Sequence, residues 1–195
     1  MKSKFDLQKH HRRSIRLKGY DYSSEGAYYV TIVTHGRECL FGEIIDDEMY
    51  LNEYGVIIQN WWNEIPVHFK NVDLGSFVIM PNHVHGIIFI VEERRGEVIS
   101  PHGSPNNIYL NANNQGGETP PLRKPILGQI VAYFKYQSTK EMNRVETPNA
   151  ITRLWQRNYY EHILRNEKDL KQKTDYILDN PSRWEEDDEN LMKSG

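Results

Sequence analysis

The sequence predicts an α+β domain: a ferredoxin-like antiparallel sheet packed by two helices, in the order β-α-β-β-α-β, with one further helix after the last strand. Three observations carry that expectation. Runs of β-branched and aromatic residues recur at 27–34, 72–80 and 83–91, and apolar residues at three- and four-residue spacings mark helices between and after them. The second and third runs are separated only by Pro81-Asn82, a turn signal that makes them neighbouring antiparallel strands.

The first strand is AYYVTIVT, Ala27 to Thr34, and a short hairpin is expected around Glu48 to Asn52. From Tyr54 to Ile65 the spacing of Ile57, Ile58, Trp61, Trp62 and Ile65 predicts an amphipathic helix that Pro66 stops. Residues 92 to 124 turn from charged to rich in Asn, Gly and Pro, with too few apolar positions for a core element, and are read as a long loop. Pro125 opens a helix to about Arg144, with Ile126, Leu127, Ile130, Val131 and Phe134 along one side. Arg153 to Leu164 reads as the last strand; Asn166 then caps a helix through about Leu178, which Asn180-Pro181 ends.

At 195 residues, 38% hydrophobic and 26% charged, the chain has the composition of one globular domain. With Cys39 alone there is no intramolecular disulfide and no cysteine-based metal cluster, so any metal is held by His, carboxylate or amide. No apolar run approaches the roughly 20 residues of a spanning helix, and the N-terminus lacks the apolar core of a secretory signal, so no membrane is expected and the location is read as cytoplasmic. The net charge of −3 conceals a segmental pattern: +6 over residues 1 to 20, −10 over 21 to 122, +5 over 123 to 176 and −4 over 177 to 195. The organisation that follows is a basic N-terminal arm (1–20), a folded domain (21–184) and a solvated acidic C-terminal tail (185–195). The two basic segments are where a phosphate backbone could be met.

The most informative feature is His83-Val84-His85 on the apolar run FVIMPNHVHGIIFI. Side chains alternate across a strand, so both imidazoles project from one face, close enough to hold one divalent cation. Near the other end of the chain, Tyr176 and Asn180 stand four residues apart and share one helix face. If that helix lies over the strand with the histidines, Asn180 can supply a third ligand and Tyr176 a nucleophile beside the metal. Tyr159 and Tyr160 are the rival nucleophiles, but their strand-like context favours packing. Imidazole ligands alone lean toward Mn²⁺ or Zn²⁺.

FVIMPNHVHGII, the helix containing LGQIVAYFK, and LWQRNYYEHILRNEKDLKQKTDYILDNP together resemble the HUH single-tyrosine transposases, especially the REP-associated tyrosine transposases related to bacterial insertion sequences. The resemblance spans about residues 20 to 184, and its parts are specific in combination: Pro-Asn-His-x-His, Trp155-Gln156 followed by the Tyr-Tyr-Glu-His-Ile-x-Arg stretch, and Asp-Tyr-Ile-x-x-Asn-Pro. It implies that His83, His85 and Asn180 are the metal ligands, that the metal is Mg²⁺ or Mn²⁺, and that the terminal helix carries the catalytic tyrosine, Tyr176. It implies an enzyme that nicks and rejoins single-stranded, hairpin-bearing DNA through a 5′-phosphotyrosine, as a monomer or as a homodimer sharing sites. Trp155, Gln156, His162 and Arg165 match the family pattern. Lys135, Gln156, Arg157, Arg165, Lys171 and Lys173 are candidate DNA contacts, and Lys173, one turn before Tyr176, can also stabilise a phenolate. A histidine-triad nucleotide hydrolase is disfavoured because position 87 is Ile, and a cupin-like oxygenase because later strands lack a Glu and His ligand pair. The remaining alternative is a domesticated, non-mobile DNA-hairpin-binding protein of the same fold.

Overall fold

A computed structural model describes residues 19–92, 125–145 and 153–190. Its main sheet is built from β1 (Gly26–Val33), β4 (Val72–Met80), β5 (His83–Ile90) and β6 (Tyr160–Leu164), and the spatial order is β4-β5-β1-β6 with every neighbouring pair antiparallel. This is the expected ferredoxin-like arrangement. β4 and β5 turn through Pro81-Asn82 as anticipated, with Met80 opposite His83. The hairpin is separate from the main sheet and starts earlier than expected: β2 (Gly42–Ile45) pairs with β3 (Glu48–Leu51) across Asp46 and Asp47, both in the left-handed region that a two-residue type I′ turn requires.

The helices show where the linear pattern and the fold part company. The expected helix over 54–65 is α1 (Glu53–Asn63), capped by Asn52 Oδ1 accepting from the Gly55 amide, and Glu64 separates it from the short α2 (Ile65–His68). Pro66 does not stop a helix here; it sits in the first turn of α2, where its missing N–H costs nothing. α3 runs Leu127–Val145, and Pro125 lies outside it, because the Leu127 amide is taken by Tyr22 O and the Ile126 amide by Gln129 Oε1. α4 (Glu167–Leu178) begins as predicted, with Asn166 Oδ1 accepting from the Asp169 amide.

The last strand is shorter than expected. Only Tyr160–Leu164 pairs with β1; upstream, Trp155 makes a single bridge to Thr34. The reason is the indole, which turns inward between Phe41 and Phe134 and donates Nε1–H to Ser138 Oγ at 3.0 Å, bending the backbone away from a ladder. The acidic stretch is also not a solvated tail as far as Asn190. A 3-10 segment, Pro181–Glu186, follows α4, and beyond it the Glu189 carbonyl accepts from Asn82 Nδ2 at 2.7 Å while its carboxylate meets Arg37 Nε at 2.6 Å. Residues 1–18 of the basic arm, 93–124 of the expected loop and 191–195 of the tail lie outside the described residues.

Both faces of the sheet are covered. On one, Tyr28, Val30, Ile32, Val84 and Ile88 pack against Ile58, Trp62, Leu127, Ile130 and Phe134 from α1 and α3. Trp62 lies flat on Phe77 at 4.3 Å and so close to Gly86 that a Cβ there would stand 2.3 Å from the indole. On the other face, Tyr29, Ile87 and Leu164 meet Ile177 of α4, with Leu170 and Tyr176 alongside. Ile177 is fully buried, a contribution of about 2 kcal/mol to docking α4. Register puts Tyr29, Thr31, His83 and His85 on that second face, beneath α4. Among the described residues no helix is long and apolar enough to cross a membrane.

Candidate active site

The alternation of β5 places His83 and His85 on the face that α4 covers, both almost wholly buried. Asn82 sets the first imidazole. Its Nδ2 donates to the carbonyls of Arg37 at 3.1 Å and Glu189 at 2.7 Å, which orients Oδ1 toward His83 Nδ1 at 2.8 Å. An amide oxygen only accepts, so Nδ1 of His83 carries the proton and Nε2 presents its lone pair. For His85, Nδ1 lies 2.7 Å from the Tyr29 hydroxyl and 2.9 Å from Thr31 Oγ1, hydroxyls that can either donate or accept. The two Nε2 atoms face each other at 2.9 Å.

That spacing bears on whether a cation fits. Two donors at right angles around one octahedral cation, each about 2.1 Å from it, stand about 3 Å apart. Without a cation, His85 Nε2–H satisfies the contact by donating to His83; with one, Tyr29 and Thr31 can accept the His85 proton at Nδ1 instead. A second observation points the same way. Asn180, just beyond α4, is 2% exposed, and its Oδ1 is buried without a hydrogen-bond partner, although such an oxygen ordinarily finds one. The donor set fits a divalent cation.

Tyr176 is half-buried one turn before Asn180, its ring centroid 5.3 Å from that of His85 and 6.2 Å from that of Tyr29. Lys173 Nζ lies 5.3 Å from the Tyr176 ring centre and 4.6 Å from that of Tyr29. Asp187 completes the cluster, with Oδ2 3.8 Å from His83 Nε2 and a side chain 5% exposed; the candidate ligand atoms of His83, His85 and Asp187 all lie within 4.8 Å of one another. The His83–Asp187 contact is not an ion pair, because burial drives the His83 value down to about 3. His85 is held well below the ordinary histidine range by burial first, then by His83 and Lys173. Burial raises the Tyr176 phenol, as does the charge of Asp187, while a hydrogen bond with the Asn180 side chain opposes them. At neutral pH the centre holds two neutral imidazoles and a protonated phenol.

The structure thus brings His83, His85, Asn180, Tyr176 and Lys173 to one place within a single chain. Arg157, Arg165 and Lys171 are exposed, and Gln156 is half-buried beside Trp155. Lys135 is turned toward its own chain. Its ammonium donates to the carbonyls of Gln156 at 2.8 Å and Asn158 at 3.2 Å, clamping the bent segment, and burial lowers its value to about 8. Tyr160 packs edge-on against Tyr29 at 6.2 Å, while Tyr159 lies near Lys135 on the other side of the strand. The sequence reading missed Asn82, Tyr29, Thr31 and Asp187. For the hydroxyl pair a signal existed, two polar side chains at alternate positions of an otherwise apolar strand; for Asp187 there was none within its acidic run.

A protein of Haemophilus influenzae described as uncharacterized is 43% identical to this chain over 189 residues, 96% of this chain and 97% of that protein. A second protein of the same organism, named "Putative REP-associated tyrosine transposase", is 24% identical over 168 residues, 83% of this chain and 73% of its own length. Among solved structures, a REP-associated tyrosine transposase bound to a REP hairpin superposes with a TM-score of 0.53 at 16% identity, covering 87% of this chain and 74% of that one, a likeness of fold. No protein-family model matches the chain.

Proposed function

We propose that the chain, which is similar in sequence to a protein named as a REP-associated tyrosine transposase and in fold to another, nicks and rejoins single-stranded, hairpin-bearing DNA through Tyr176, with Mg²⁺ or Mn²⁺ held by His83, His85 and Asn180. The observation that carries the reading is the convergence of two facing Nε2 atoms, an unpartnered buried amide oxygen and a phenol on one sheet face. The cation, when bound, supplies positive charge that offsets the phosphodiester charge facing an incoming nucleophile.

The chain's own residues do the rest. Asn82 holds His83 in the tautomer that exposes Nε2, and Tyr29 with Thr31 orients His85. Tyr176 attacks phosphorus; its O–P bond forms, the bond to the 3′-oxygen breaks, and the phenol proton leaves to solvent or a base as the departing oxygen takes one up. Lys173, within reach of the phenol ring, stabilises the negative oxygen during attack. The products are a 5′-phosphotyrosine and a free 3′-OH, and attack by a second 3′-OH reverses the step without an external energy source. Exposed Arg157, Arg165 and Lys171 are assigned to the phosphate backbone, on which the protein docks in a salt-dependent manner. The catalytic domain so read is the folded part within 21–184, acting in the cytoplasm.

The test uses a labelled single-stranded oligonucleotide bearing a palindromic hairpin of the repetitive extragenic kind, with Mn²⁺ and a denaturing gel. Wild type is expected to give a protein–DNA adduct, and Tyr176→Phe to give none while retaining hairpin binding. Adduct in Tyr176→Phe at the wild-type level removes Tyr176 from the role. Hairpin binding without adduct from wild type, in Mg²⁺ or Mn²⁺, favours the non-mobile hairpin-binding protein instead.

A further inference from the structure

The acidic segment beyond α4 is built into the site by contacts that have no other evident purpose. The Glu189 carbonyl is held by Asn82, the residue that also fixes His83, and its carboxylate by Arg37, itself in the left-handed region with φ 58°. Asn190 is buried, and its Nδ2 donates to Trp184 O at 3.0 Å, closing the turn from the other side. Within that turn the Glu189 amide donates to Asp187 Oδ1 at 2.6 Å, which leaves Oδ2 as the oxygen on the His83 side, 3.8 Å from Nε2. The indole of Trp184 lies over the same imidazole, ring centres 6.1 Å apart.

We propose that Asp187 is a fourth protein ligand of the metal, delivered by an Arg37–Glu189–Asn82 latch, so that the donor set is two imidazoles, an amide oxygen and a carboxylate. The inference rests on the metal reading above and adds a residue to it. A contraction of the 3.8 Å contact by under 1 Å brings Oδ2 to the spacing the two Nε2 atoms already have. The chemical consequence concerns which ion is preferred. Two nitrogen donors alone suit Zn²⁺ or Mn²⁺, whereas adding a charged oxygen favours harder cations such as Mn²⁺ and Mg²⁺. Arg37 and Asn82 act at a distance, as positioning residues.

The experiment is titration of the full, DNA-free chain with Mn²⁺ and with Zn²⁺, read by Mn²⁺ electron paramagnetic resonance and calorimetry. Wild type is expected to bind one Mn²⁺, and His83→Ala to lose it. Asp187→Asn is expected to weaken Mn²⁺ by roughly tenfold or more and Zn²⁺ by much less, with Asp187→Glu recovering part of the loss. Arg37→Ala, which touches no ligand, is expected to weaken Mn²⁺ by a smaller factor. Unchanged Mn²⁺ affinity in Asp187→Asn, alongside loss in His83→Ala, overturns the ligand role and leaves the two-histidine site standing. Equal weakening of both metals by Asp187→Asn, with no recovery in Asp187→Glu, also overturns it in favour of a folding role. No binding by wild type overturns the site and the ligand together. Far-ultraviolet circular dichroism and urea midpoints establish that each variant is folded.

Discussion

Asn82 shows how much of this site depends on one side chain that does no chemistry. Its amide spends two donors on Arg37 O and Glu189 O and its oxygen on His83, so a single orientation sets an imidazole tautomer and anchors the segment bearing Asp187. The burial of that imidazole has a signed consequence. His83 takes up a proton only near pH 3 when folded, against about 6.5 in the unfolded chain. Between those values the unfolded state binds more protons, so the stabilising effect is complete above pH 6.5 and is lost as pH falls toward 3. The metal-free wild type should therefore lose urea resistance between pH 7 and 5 more steeply than His83→Gln; equal slopes would show that His83 charges readily in the fold. At this scale the sequence was most legible where spacing encodes geometry. His83 with His85 is a strand repeat and Tyr176 with Asn180 a helix repeat, whereas Asp187 depends on a reversal of the chain that no local periodicity records.

Among the elements, β5 and α1 are joined by a close fit. Gly86 leaves room for the Trp62 indole, and a methyl in that place meets ring atoms at 2.3 and 2.5 Å. Gly86→Ala is expected to cost about 2 kcal/mol or more through overpacking, lowering the thermal midpoint by several degrees. Since Gly86 faces away from the imidazoles, its damage to Mn²⁺ affinity should be smaller than its damage to stability; calorimetric melting and Mn²⁺ titration of one preparation check both. The elements with a repeating apolar pattern were readable from the chain: β1, β4, β5, α1, α3 and α4 fall within a few residues of where the spacing puts them. The stretch before β6 was not. RLWQRNYY has strand composition throughout, but Trp155 bonds to Ser138 and Lys135 holds Gln156 O and Asn158 O, long-range contacts that override local preference.

At the scale of the whole molecule, one sheet separates two packings of different kinds. Toward α1 and α3 the sheet buries an almost wholly apolar layer; toward α4 it buries imidazoles, hydroxyls and a phenol among a few aliphatic groups. Histidines, amide and tyrosine come together in one chain, which carries a prediction about assembly. Mixing His83→Ala with Tyr176→Phe should not restore DNA adduct, because neither molecule has a complete centre; restored adduct would instead mean that α4 is exchanged between two copies. The position of α4 has a further consequence in time. β1 pairs on one side with β5 and on the other with β6, and the helix that roofs the histidines is made after both. As a polypeptide emerges from the ribosome, the imidazoles appear long before Tyr176. A nascent chain therefore carries an open cation cradle before the proposed nucleophile has been made.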